Sequence, residues 1–125
     1  MKLNLDCARD VLLAVESKEY GAVFKLDELA RKLSVYDADE VAYACVKLKE
    51  AGYLQVVTAY TPCSHLPIVQ GIRELTFNGH EFLANISDDG NWQKIREAAA
   101  SAGSLALDVV AGIASNYIYA KLGLQ

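Results

Sequence analysis

DEVAYACVKLKEAGYLQVVTAY, residues 39–60, contains a helical period followed by a strand-like run, and the switch between them decides the fold. Val41, Ala44, Cys45 and Leu48 recur every three or four residues, which places them on one face of a helix beginning at Asp39. Gly52 is positioned to close that helix as a left-handed cap. Leu54 to Tyr60 and then Val69 to Leu75 are rich in β-branched and aromatic residues, so they read as two strands. Between them Thr61-Pro62-Cys63-Ser64-His65-Leu66-Pro67 forms the hairpin tip. Both prolines of the chain sit there, where a missing N–H costs no ladder bond.

Upstream, Asn4 stands before Leu5, Ala8, Leu12 and Val15, which predicts a capped first helix ending near Ser17. Leu26, Leu29, Ala30 and Leu33 make a brief second helix, with Asp27 and Glu28 at its positive end. Ser34 to Ala38 is a polar turn. Helix, short helix, turn, helix and hairpin is the order of a winged helix-turn-helix. Tyr20 and Tyr53 are expected in or at the edge of its core.

Downstream, Thr76 caps a fourth helix carrying Phe77, Phe82, Leu83 and Ile86, and Gly79 in its first turn permits close approach to the strand it leaves. A fifth helix starts from Asp88, anchored by Trp92 and Ile95. Gly103 then separates a last helix, Leu105 to Leu122, apolar nearly all round except for the strip Asp108, Ala111, Gly112 and Ser115. The expected fold is α+β and mostly helical: a winged helix-turn-helix core with a two-stranded wing over residues 1–86. Residues 87–125 form a helical C-terminal extension, packed on the core or used in dimerisation.

Glu50-Ala51-Gly52-Tyr53-Leu54 and Leu75-Thr76-Phe77-Asn78-Gly79 resemble the signatures that follow helix three and leave the wing in winged-helix regulators of the MarR and PadR groups. The stretch Leu75-Thr76-Phe77-Asn78-Gly79-His80-Glu81-Phe82-Leu83 goes further. With the acidic turn Asp88-Asp89, then Trp92, then Gly103-Ser104-Leu105, it resembles the bacterial and phage family called domain of unknown function 2513. That resemblance implies a winged-helix fold and a phage or prophage setting; it supplies no activity and no site.

Function is therefore read from the residues. Sixteen acidic against twelve basic side chains give a net charge of −4, the wrong sign for a protein held on DNA mainly by phosphates, so any basic surface must be local. The third helix opens on Asp37, Asp39 and Glu40, and its outward residues are Ala42, Tyr43, Val46 and Lys47. Lys47, Lys49 and Arg73 could meet phosphates with Tyr43 near base edges, and Arg73 is balanced along the chain by Glu74. The first expectation is thus a regulator-like protein that binds double-stranded DNA through helix three and the wing. The alternative treats Tyr43 and Val46 beside acids as a protein-interaction surface on the same scaffold.

No enzyme is predicted. The sequence lacks a Gly-x-Ser-x-Gly elbow and a Gly-rich phosphate loop, and Cys63 and His65 are too close along the chain to imply a triad. Cys63-Ser64-His65 has no second ligand pair, with His80 the only other histidine, so neither a metal nor a cofactor is expected. His80-Glu81 reads as a surface pair, and Asp88-Asp89 as cap and dipole partners. Three widely spaced cysteines and a start without an apolar leader fit reduced thiols in the cytoplasm. Asp108, Asn116 and Lys121 interrupt the last helix as a membrane span, and covering its apolar surface with a second copy predicts a homodimer through that helix.

Overall fold

A computed structural model describes residues 1–63, 65 and 67–123. Six helices and a two-stranded antiparallel sheet are found among them, an α+β and mostly helical chain. It divides into two compact units, Met1–Gly79 and His80–Gln125.

The first unit holds α1 (Leu5–Ser17), α2 (Leu26–Lys32), α3 (Ala38–Glu50), β1 (Leu54–Ala59) and β2 (Ile68–Leu75). The Asn4 side chain accepts from the Cys7 N–H at 3.1 Å and so caps α1, as its position predicts. The Asn4 amide also donates to Glu40 Oε2 at 3.1 Å. Glu40 Oε1 accepts from the Asp37 N–H at 3.3 Å, closing a capping box on α3. One carboxylate therefore ties the N-terminal ends of α1 and α3 together. Tyr36, in the turn between α2 and α3, donates to Asp10 Oδ2 on α1 at 2.7 Å.

Val41, Ala44, Cys45 and Leu48 are each 0% exposed, so the face read from their spacing is the buried one. Gly52 takes φ +84°, and the Tyr53 and Gly52 N–H groups reach back to the Leu48 and Lys49 carbonyls at 2.9 and 3.0 Å. These are the two bonds of a Schellman cap, and they turn the chain directly into β1.

β1 and β2 pair antiparallel, with Leu54 opposite Leu75, Val56 opposite Ile72 and Thr58 opposite Val69. The register slips twice, between Leu54 and Val56 and between Val57 and Thr58; both extra residues lie on β2, so β1 stays regular. Phe24 forms a bridge to Ile72 on the far edge of β2, by bonds of 3.0 and 2.8 Å. That contact has no sequence signature, because three apolar residues between Gly21 and Lys25 are too few to show a period.

Two expectations need correction. Tyr20 is 98% exposed: it lies in the turn after α1, where Gly21 at φ +82° swings the chain away from the core, while Tyr53 is half-buried. Phe77 lies on α4 (Phe77–Ile86) as expected, and is 77% exposed because the first position of the helix falls off the face used by Phe82, Leu83 and Ile86. Gly79 does permit a close approach, but to the Tyr53 carbonyl before β1 rather than to the strand that α4 leaves.

In the second unit the rest of α4 is followed by α5 (Asp89–Ser101) and α6 (Leu107–Lys121). Asp88 caps α5 by accepting from the Asn91 N–H at 2.9 Å. Trp92, Ile95 and Ala99 are buried on α5, as are Val110 and Ala114 on α6, and Lys121 donates to Asn91 Oδ1 at 2.7 Å. The last helix starts at Leu107, so Leu105 stays in the connection. In its small-residue strip Asp108 and Gly112 are exposed while Ala111 and Ser115 are half-buried. Among the described residues no helix is long and apolar enough to cross a membrane.

Candidate functional site

Alternation along α3 leaves Ala42, Tyr43, Val46 and Lys47 half-buried on the side away from the core. Because the Schellman cap folds β1 back beside the helix, these residues are only partly open to solvent. They form one wall of a groove whose other wall is the hairpin, with Thr58, Tyr60 and Pro67. Asp39, Lys49, Glu50 and Met1 complete the lining of a cavity of about 900 Å³. Ser64 and Leu66 of the hairpin tip, and hence the middle of Cys63-Ser64-His65, lie outside the described residues.

Tyr43, Lys47 and Lys49 are thus brought together, as expected. Arg73 is not in the groove. It lies exposed on the outer face of the sheet, where with Lys49, Leu54, Gln55, Val56 and Val57 it lines a shallow hollow of about 480 Å³. Lys49 borders both depressions and joins the four residues into one continuous surface.

The charges on this surface are mostly engaged. Lys47 Nζ stands 3.1 Å from Glu50 Oε2 and 5.3 Å from the centre of the Tyr43 ring. Hydrogen bonding to Glu50 raises the Lys47 pKa, with the Glu50 charge adding to it, so the ammonium is held charged but locally neutralised. Lys49 donates to Thr58 Oγ1 at 3.0 Å. At the other end of α3, Glu40 is committed to the capping box and Asp39 remains exposed on the groove wall.

Glu74, next along β2, is engaged elsewhere: at the bulge where two β2 residues oppose Gln55, its carboxylate stands 2.6 Å from the Lys18 ammonium and accepts from the Gly21 N–H at 3.2 Å. Among the described residues no acid lines the hollow between Lys49 and Arg73.

Cys7 and Cys45 offer no nucleophile. Both are 0% exposed, and burial pushes each thiol from 9.0 up to about 12, with Glu40 and Asp10 adding for Cys7 and Cys7 adding for Cys45. Cys63 is exposed. A thiol reagent is therefore expected to modify one cysteine rapidly in the native chain and all three once it is unfolded. Above pH 9 the unfolded chain releases the two buried protons while the native chain keeps them. Stability is then present below about pH 9 and lost as pH rises toward about 12, which melting temperatures across that range would read.

Among the described residues, no group of three His, Cys, Asp or Glu side chains is placed to hold a metal ion. His80 and Glu81 both lie on the exposed side of α4.

The fold and this surface define a mostly helical α+β chain with a groove between its third helix and a hairpin. Residues 2–105 match the model of the family described as "Hypothetical protein (DUF2513)", and the chain belongs to that family. It is also 28% identical over 119 residues to an uncharacterized protein of Haemophilus influenzae (strain Rd), an alignment covering 94% of this chain and 96% of that one. No solved structure matches.

Proposed function

We propose that this is a regulator-like binding protein on a winged-helix scaffold, and that its α3–hairpin groove takes a polypeptide rather than duplex DNA. The scaffold reading is supported by the element order and by the Phe24 bridge, which adds a short third edge to the sheet. The polypeptide reading is carried by one observation: the two groove lysines already have partners, and Lys47 and Lys49 are matched in the lining by Asp39 and Glu50. A reader of the major groove gains its affinity by neutralising phosphates, and a surface already neutral releases few counterions. Tyr43, Val46, Tyr60 and Pro67 instead give the aromatic and apolar lining common in protein interfaces.

The acid-free hollow beside Lys49 and Arg73 favours a second reading, in which the wing meets a phosphate backbone. Titration with mixed-sequence duplex DNA at about 50 and about 200 mM salt separates the two. The polypeptide reading expects no saturable binding at either salt. Binding that weakens steeply with salt, and weakens again in Lys47→Ala and Arg73→Ala, would overturn it in favour of DNA.

A further inference from the structure

The pattern of bonds on β2 shows which way the main chain of β1 faces. In an antiparallel pair, the N–H and C=O of one residue point to the same side of the strand. Those of Ile72 are both taken by Phe24, so the pairing of Ile72 with Val56 is one without mutual hydrogen bonds. The N–H and C=O of Val56 therefore point away from β2. Because β1 carries no extra residue, the same holds two residues on, at Thr58. Among the described residues no strand lies on that side of β1.

An edge that no strand has paired is a template for another strand, although Val56 itself is only 7% exposed and the added chain would have to reach its main chain through the hollow it lines. Here it is bordered by the hollow lined by Gln55, Val57, Lys49 and Arg73, and it continues toward the groove at Thr58 and Tyr60. Gln55, Val57 and Arg73 are exposed on the same outer face of the sheet. A strand added to β1 would set every second side chain beside them, where it would meet Arg73 and Lys49, whose bond to the Thr58 hydroxyl leaves its charge unmatched on this side; among the described residues no acid lines the hollow.

We infer that β1 accepts an extended, acidic polypeptide segment as an additional strand, with main-chain bonds to Val56 and Thr58 and carboxylates read by Lys49 and Arg73. This rests on the polypeptide reading of the surface and specifies the mode of binding. A second copy of this chain is the poorer occupant, since pairing two β1 edges would bring two sets of these cations onto one sheet.

The test uses the full chain and a labelled peptide of about eight residues alternating glutamate with valine, the length of an ordinary strand. Three results are expected. Anisotropy saturates with the peptide; amide exchange at Val56 and Thr58 slows by about tenfold or more on binding; and a peptide with proline in place of valine, equally acidic but lacking alternate N–H donors, fails to bind. The double variant Lys49→Glu/Arg73→Glu should lose the glutamate peptide and gain one alternating lysine with valine. No binding by the glutamate peptide overturns the inference. Binding without protection at Val56, or equal binding by the proline peptide, also overturns it; if that binding is weakened by Tyr43→Ala, the groove still takes a polypeptide, by another mode. Competition by duplex DNA for the same variants would remove both readings.

Discussion

Gly79→Ala is expected to destabilise the fold by roughly 4 kcal/mol or more, a large part of the stability of an ordinary domain. A Cβ at this position would stand 2.0 Å from the Tyr53 carbonyl oxygen and 2.9 Å from its carbon, inside any tolerable contact. The obstacle is backbone, so no rotamer change relieves it, and that backbone is fixed from three directions. The Tyr53 N–H is bonded to Leu48 O at 2.9 Å in the α3 cap, and the Tyr53 carbonyl accepts from the Thr76 N–H at 3.1 Å. The Thr76 hydroxyl donates to the Gly52 carbonyl while accepting from the Gly79 N–H at 3.0 Å. Gly112→Ala is the matched control: it also lies inside a helix, its added methyl meets nothing within 4 Å, and it should raise stability by about 0.5–1 kcal/mol. Urea titrations of both variants read the contrast. A Gly79→Ala protein as stable as its parent would mean that α4 does not start against Tyr53.

That joint explains why some parts of the chain were legible and others were not. Residues 50–54 and 75–79, the stretches with the most recognisable wording, meet there: Gly52 for its positive φ, Thr76 for its two bonds, Gly79 for lack of a side chain. Each position admits few residue types, so sequence carries it plainly. Helix faces were legible for a similar reason, because burial of Val41, Ala44, Cys45 and Leu48 imposes a period. The candidate site imposes no such rule. Lys47 beside Glu50 could be read as a helical neighbour pair, but the bond from Lys49 to Thr58 depends on how sharply the cap returns the chain. Arg73 and Glu74 are adjacent in sequence and share a bulge of β2, which no sequence period announces; the location of Lys18 decides what Glu74 meets. Phe24 and Tyr20 mark the other limit: a single bridge has no period, and an aromatic residue after a helix says nothing of which side of a turn it takes.

Glu74→Ala should be strongly damaging without straining the backbone, costing about 3 kcal/mol by thermal or urea unfolding. The Lys18 side chain is 4% exposed, and its ammonium lies 2.6 Å from Glu74 Oε1. Glu74 is 40% exposed, so water reaches one side of the pair and the low end of the usual range for a broken buried pair applies. The carboxylate also accepts from the Gly21 N–H at 3.2 Å, which anchors the turn after α1 to β2. Without it, a desolvated cation and a turn N–H both lose their acceptor. The cost comes from what is left behind, so Lys18→Met in the same background should recover most of the loss despite removing the second half of the pair. The exposed pair Arg31–Asp27, with side chains 75% and 74% exposed at 3.4 Å, gives the contrast: Arg31→Ala should change stability by less than about 0.5 kcal/mol. If Glu74→Ala proved equally mild, Lys18 would have to find water or another acceptor without the carboxylate, and β2 would not be what holds the end of α1.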